Sequence, residues 1–279
     1  MILKLLHLPT KFIRFFFIAR QTDYTAVSDK WEVYKTMLSL YIKTAIFSKR
    51  TKNVSQRIFG YKVYGYDYET LFSLYREIFV KQLYKVDLKK QGPKIIDCGA
   101  NIGMAVLYFK KNHPQSSILA FEPNPYVFDI LERNIRENKL ENTKAYNVAL
   151  SDTNGSIDFY LGSELGSQQG SLFSSRGGNN KLSVEARKLS DYINHENFDL
   201  IKIDVEGAEV QILHDISQFA EFNSPQYYLM EYHHKIGTSK SGLAGFLRTF
   251  ENAGYEYNID SHFNKLGLFQ DIIIYFYKP

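Results

Sequence analysis

After Gly92-Pro93 the sequence changes to short apolar runs separated by amphipathic stretches of helical spacing, and this alternation limits the fold more than any other feature. A strand buried on both faces reads as a continuous apolar run, and two parallel strands must be joined by a crossover, usually a helix. The pattern therefore specifies an α/β domain, a parallel sheet with helices on both faces. Strands are predicted at 94–97, 117–122, 144–148, 200–204, 226–231 and 271–277, with helices at 102–112 and 126–138. Residues 155–161 fit an added strand. Residues 162–180, rich in Gly, Ser, Asn and Gln, read as a mobile loop near a site.

The remainder, residues 1–90, reads as a helical extension to the domain at 91–279. Helical patterns run over 29–47 and 68–84, with an aromatic-rich hairpin at 57–66 between them. With 44% hydrophobic and 23% charged residues, disorder is excluded as the main description of the 279-residue chain. A single cysteine, Cys98, excludes a disulfide framework and a multi-cysteine zinc site. The net charge of +4 gives no nucleic-acid footprint.

The placement of charge says more than its sum. Residues 1–60 hold 11 Lys/Arg against 3 Asp/Glu, a net of +8, which leaves −4 for the rest. In the leader MILKLLHLPTKFIRFFFIAR, Lys4, His7, Lys11 and Arg14 fall three or four apart and line one helix face, with Leu and Phe elsewhere. No uncharged stretch approaches the roughly 20 residues that span a bilayer, and Lys11 and Arg14 interrupt any signal-peptide core. A cytoplasmic chain is expected, with residues 1–20 either lying peripherally in a membrane interface or packing on the protein's own core or a second subunit. Pro9 should kink or restart this helix.

The chemistry signal is the turn IIDCGANIG at 95–103. It places an aspartate at a strand end, then Gly99, Asn101 and Gly103 before a helix. Glycines let a ligand approach the backbone, and the helix N-terminus offers unpaired N–H groups to an anion. Glu122 ends the next strand, 23 residues after Gly99, where an acid can take both hydroxyls of a ribose. A nicotinamide site would use the ribose acid equally well but requires G-x-G-x-x-G, whereas these glycines stand four apart behind an aspartate. The spacing favours S-adenosylmethionine.

Through IIDCGANIG (95–103), FEPNP (121–125), NVALSD (147–152), IKIDVEGAE (201–209) and MEYH (230–233), the chain resembles the FkbM-type S-adenosylmethionine-dependent methyltransferases over roughly residues 92–235. The resemblance implies a class I Rossmann-like fold, doubly wound around a mostly parallel seven-stranded sheet, acting on a hydroxyl of a sugar, polyketide or similar small acceptor. Carried over by position, Asp97, Gly99, Asn101 and Gly103 resemble the cradle for the methionine end and Glu122 the ribose ligand. Asn124 resembles a neighbour of the nucleoside, and Asn147 with Ala149 the segment beside adenine. For Asn124 and Ala149, a turn residue and a core filler are the competing readings. Asn124-Pro125-Tyr126 resembles an element of amino-group methyltransferases for nucleic acids, but it follows the second strand instead of the fourth, and no nucleic-acid partner is expected.

Methyl transfer to oxygen requires alignment of two partners and removal of one proton. Strands closing at Asp204 and Glu231 should bring their carboxyl ends together, and His233 points with Glu231 if the strand persists. Three readings follow. Asp204 or His233 accepts the proton directly; Asp204 and Glu231 hold a Mg²⁺ that acidifies the hydroxyl, with His233 as base; or the carboxylates only order the loop. Glu206 and Glu209 read as first-turn helix acids and Lys202 as a polar residue within a strand. Three functions remain: an O-methyltransferase for a glycan hydroxyl, lipid-linked or membrane-proximal; a methyltransferase for a soluble small molecule; and a non-catalytic, cofactor-binding scaffold at a membrane.

Overall fold

The computed structural model describes residues 8–47, 51–162, 170–193, 196–236, 242–261 and 269–279. The backbone forms two compact units. One comprises Met1–Asp87, Ile102–Asn112 and Asp129–Leu140; the other comprises Leu88–Asn101, His113–Phe128 and Glu141–Pro279.

The first unit opens with α1 (Leu8–Gln21). Pro9 falls in the first described turn of this helix. Lys4 and His7 lie outside the described residues. Among the described α1 side chains only Phe15 and Ala19, one turn apart, are buried, while Phe12, Ile13, Phe16 and Phe17 stay exposed. Helix α2 (Val27–Ile46) buries Val33, Met37 and Leu40 along one stripe. The hairpin of β1 (Val54–Ile58) and β2 (Tyr61–Gly65) turns through Phe59 and Gly60, both at positive φ, as a two-residue turn with right-handed strand twist requires. Helix α3 (Tyr68–Tyr75) is capped by Asp67, whose carboxylate accepts the Thr70 N–H at 2.8 Å, and it widens into a π turn at Arg76–Val80. Helix α4 (Met104–Asn112) and most of α5 (Pro125–Glu137) also belong to this unit. Asn134 on α5 is buried. It accepts the Tyr64 N–H at 2.7 Å and donates to the carbonyls of Tyr64 and Ile102 at 2.9 and 2.7 Å.

The second unit is built on a seven-stranded sheet. Its strands are β3 (Lys94–Cys98), β4 (Ser117–Phe121), β5 (Thr143–Tyr146), β9 (Leu200–Ile203), β10 (Tyr227–His234), β11 (Glu256–Ser261) and β12 (Gln270–Tyr277). Their order is β11-β12-β10-β9-β3-β4-β5, and only β12 runs against the others. The order reverses between β9 and β3, which is where α/β sheets leave a crevice beyond the strand ends. A smaller sheet in the order β6-β8-β7 combines β6 (Ala149–Ser151), β7 (Gly155–Leu161) and β8 (Asn180–Lys188). The loop expected at 162–180 is only partly within the described residues. Its described part carries a bridge from Ser171 to Tyr160 and the short α6 (Ser174–Gly177). Helices α7 (Ser190–Ile193), α8 (Glu209–Ile216) and α9 (Leu243–Asn252) complete this unit. Its core is aromatic, with Phe250 stacked on Phe276 at 3.7 Å.

Candidate functional site

Three adjacent strand ends, β4, β3 and β9, build the first half of the site. Beyond β3 the chain turns over the end of β4, and the N–H groups of Gly99 and Ala100 both donate to the Phe121 carbonyl at 3.0 and 2.8 Å. Gly99 has φ +79, and a Cβ there would lie 1.8 Å from the Asp204 carbonyl oxygen. No side chain fits, because the turns after β3 and β9 touch backbone to backbone. Glu122 follows β4. Its carboxylate accepts N–H bonds from Asn101 and Asn124, each at 2.9 Å. Burial pushes its pKa up to about 7 against the pull of those two donors. Asn147 donates to the carbonyls of Glu122 and Pro123 at 2.8 and 3.1 Å and so fixes this strand end. Beside it, Phe121 stacks on Tyr146 at 5.2 Å and meets the edge of Tyr192 at 4.8 Å.

The β3–β9 register sets Asp97 opposite Lys202, both buried, with Lys202 Nζ 3.1 Å from Asp97 Oδ1. The ammonium also donates to the carbonyls of Cys98 and Gly99 and stands 3.6 Å from Asp204. Burial opposes its charge, but Asp97 and Asp204 outweigh that penalty and raise its pKa. The lysine read as a polar strand residue is therefore the cation that ties the β3 turn to β9. Asp97 Oδ2 is buried without a hydrogen-bond partner among the described residues. Such an oxygen is costly unless a ligand supplies a donor.

The second half gathers around His233. The β9–β10 register pairs Ile203 with Met230, so Asp204 and Glu231 fall side by side at the next position. His233 is buried, and both ring nitrogens face carboxylates: Nδ1 lies 2.8 Å from Glu209 and Nε2 lies 3.0 Å from Glu206. Asp271, paired with His233 across β12, stands 3.8 Å away. Burial alone would strip its proton, but Glu209 and Glu206 hold the imidazolium well above the ordinary histidine range. Both nitrogens of His233, expected as a candidate base, thus face carboxylates, which favours the protonated ring over a free lone pair. Of the two acids read as first-turn helix residues, Glu209 does open the helix while Glu206 lies before it, and both turn towards His233. Glu206 precedes the helix in a left-handed conformation (φ 54), and Glu209 turns inward to accept the Gly207 N–H at 2.9 Å. Arg176 on α6 binds Glu206 at 2.7 Å and lies over the Phe269 ring, on which His233 also stacks. Ser171 donates to the Glu206 carbonyl.

The two carboxylates beside this cation keep their protons unusually well. Burial raises the Asp204 pKa, and burial together with the charge of Asp204 pushes Glu231 up to about 8. The candidate metal set does not fit a resident Mg²⁺. Possible ligand atoms group as Asp204, Glu206 and His233, or as Glu231, His233 and Asp271, so that both groups depend on His233. Both nitrogens of His233 already face Glu209 and Glu206, which leaves two carboxylates in each group, few for an octahedral cation.

Other expected positions divide. Asn124 caps α5, its Oδ1 accepting the Tyr126 N–H at 3.0 Å, as a turn residue does. The Ala149 side chain packs with Phe159, Leu161 and Val184, a core position, and the expectation that it lies beside adenine is not carried by its surroundings. Gly103 (φ +85) is required by packing within its own unit, because a Cβ would come 2.7 Å from Leu131. Sequence reasoning missed Arg176 and Asp271. Arg176 sits in an irregular segment with no periodicity, and Asp271 has the pattern of any polar residue at the start of an ordinary strand. The only signal for either was charge near apolar surroundings.

A parallel sheet with one reversed strand, carrying a glycine turn and a buried acid on neighbouring strand ends, defines a Rossmann-like methyltransferase fold of class I. Residues 97–257, more than half of the chain, match the family described as the methyltransferase FkbM domain, and the chain belongs to that family. It is 33% identical over 177 residues to methyltransferase sdnD of Sordaria araneosa, covering 52% of this chain and 68% of that protein. It is 30% identical over 143 residues to the 2-O-methyltransferase NoeI of Sinorhizobium fredii, covering 45% and 58%. The crystal structure of methyltransferase FkbM from Methylobacillus flagellatus superposes with a TM-score of 0.50 at 14% identity, over 95% of this chain and 58% of that one, and confirms the fold. The chain is a methyl-transferring enzyme, which removes the non-catalytic scaffold from consideration.

Proposed function

We propose that the protein is an S-adenosylmethionine-dependent O-methyltransferase for an uncharged hydroxyl acceptor, a sugar, glycan or related small molecule. The observation that carries this reading is the pair Asp204 and Glu231, two carboxylates with raised pKa values on neighbouring strand ends beside the Gly99 turn. The cofactor fits the residues present: a turn from which Cβ atoms are excluded, an unpaired buried oxygen on Asp97, and an ionisable acid at Glu122. Asp97, Gly99 and Asn101 would hold its methionine end, Glu122 its ribose, and Asn147 the strand end beside the base. When bound, S-adenosylmethionine supplies a methyl group already activated on a sulfonium.

The protein's own work is to orient the acceptor and hold its proton. Burial raises the pKa of both Asp204 and Glu231, and the member that is ionised accepts the hydroxyl proton as the methyl group is transferred. His233, held between Glu206 and Glu209, stands as a fixed group beside this pair. With Asp204 and Glu231 holding protons, the carboxylates of Glu206, Glu209 and Asp271 are matched by Arg176, His233 and Lys202, so the site offers no excess positive charge to a phosphate or carboxylate on the acceptor. The name 2-O-methyltransferase borne by one relative supports oxygen as the atom methylated. Lipid linkage of the acceptor and a peripheral place at a membrane are the finer part of this reading.

Transfer of labelled methyl from S-adenosylmethionine to neutral saccharides, against amines and carboxylates of similar size, tests the proposal. Asp204→Asn and Glu231→Gln should each cut transfer by roughly 10²- to 10⁴-fold, the contribution of a positioned acid or base, with cofactor affinity unchanged. Full activity in both variants, or label on nitrogen alone, would refute it.

A further inference from the structure

We propose that α1 and the first turns of α2 form a docking face for a membrane surface bearing anionic phospholipids. The face is apolar, exposed and continuous. Phe12, Ile13, Phe16 and Phe17 of α1 are 41 to 64% exposed, and Trp31 of α2 is 48% exposed. Single exposed apolar side chains are ordinary, but these form one aromatic cluster: Phe16 meets Trp31 and Tyr34 edge-on at 6.4 and 6.1 Å, and Phe12 meets Tyr34 at 6.2 Å. Mutual packing holds the rings in place while they face outward, so little ordering is required when they enter an apolar medium.

Charge selects the occupant. Arg14, Arg20 and Lys35 are exposed, and no carboxylate is paired with them among the described residues. The acids of the same stretch are engaged elsewhere: Asp23 with Lys85 at 2.8 Å, Asp29 with Lys111 at 3.0 Å, and Glu32 with the Phe59 N–H at 3.3 Å. What remains on the surface is aromatic area rimmed by uncompensated cations, the pattern that lies in a headgroup layer. A second copy docked through the same face would bring the same cations against one another, whereas an anionic leaflet offers them opposite charge. Over its 14 described residues α1 runs about 21 Å and carries Lys11, Arg14 and Arg20, a charge density suited to lying along a headgroup layer. Among the described residues no helix is long and apolar enough to span a membrane.

The test is co-sedimentation of the full chain with vesicles of phosphatidylcholine alone and of phosphatidylcholine with phosphatidylglycerol. Binding should require phosphatidylglycerol and weaken as salt rises. Phe16→Ser with Trp31→Ser, and separately Arg14→Glu with Lys35→Glu, should each lower partition by about tenfold or more. In both variants the thermal shift with S-adenosylmethionine should be retained, which shows that the chain still folds. Equal binding to both vesicles, no binding, or a dimer dispersed by the Phe16→Ser, Trp31→Ser pair would overturn the proposal. Because lipid binding needs no turnover, its failure leaves the methyltransferase reading untouched, and the converse also holds.

Discussion

Glu122 shows how one side chain couples the site to pH. Its carboxylate is buried against two backbone donors, and its pKa of about 7 places the charge change within the working range. A ribose offers hydroxyl donors, which prefer the ionised acid. Binding of S-adenosylmethionine should therefore tighten as pH rises through about 7, and Glu122→Gln should both weaken binding and flatten that dependence, as calorimetric titration at several pH values would reveal. His233 runs in the opposite sense for stability. Its pKa is raised on folding, so its contribution is complete below the unfolded value and is lost as pH climbs through the folded one. Replacing Glu209 by Gln removes the partner at Nδ1 and should bring that loss to lower pH, visible in denaturation midpoints measured across the alkaline range. Glu122 and Asp97 were legible in the sequence because each acid directly follows a buried run and so must sit at a strand end. The protonation of His233 was not, because it depends on Glu206 and Glu209 approaching from a turn whose left-handed backbone no spacing announces.

At the scale of elements, two junctions should dominate. At Gly99 the obstacle is the carbonyl of Asp204, which is backbone and cannot swing away. Gly99→Ala must part β3 from β9 or strain a positive φ, and a loss of about 2–4 kcal/mol in urea denaturation is expected, together with loss of cofactor binding. Asn134→Leu would remove the partners of the Tyr64 N–H and carbonyl and one donor to the Ile102 carbonyl, a cost of roughly 2–3 kcal/mol by the same measurement. The buried strands were readable as apolar runs and the hairpin through its turn. Strand β11 was not, since Glu256–Ser261 lies exposed at the sheet edge and shows no apolar alternation. Strand β8 was hidden by the polar composition around it. The helix expected over 68–84 ended early because the chain widens at Arg76.

For the whole molecule, identity rests on the second unit, where the family match begins at Asp97 and takes in the parallel strand ends. The net +8 of residues 1–60 lies outside that match. Cofactor choice is a property of the whole chain and has a direct measure. S-Adenosylmethionine at about 100 times its dissociation constant should raise stability by about 2.7 kcal/mol, whereas NAD at the same concentration should leave the melting temperature unmoved.

The two walls around Asp204 differ in kind. One is polypeptide abutting polypeptide at Gly99, with no slack for a hinge, while the other is fastened to Glu206 through the side chains of Ser171 and Arg176. Displacement around Asp204 is therefore resisted unequally, since the side chains of Ser171 and Arg176 can rotate whereas the backbone at Gly99 cannot give way.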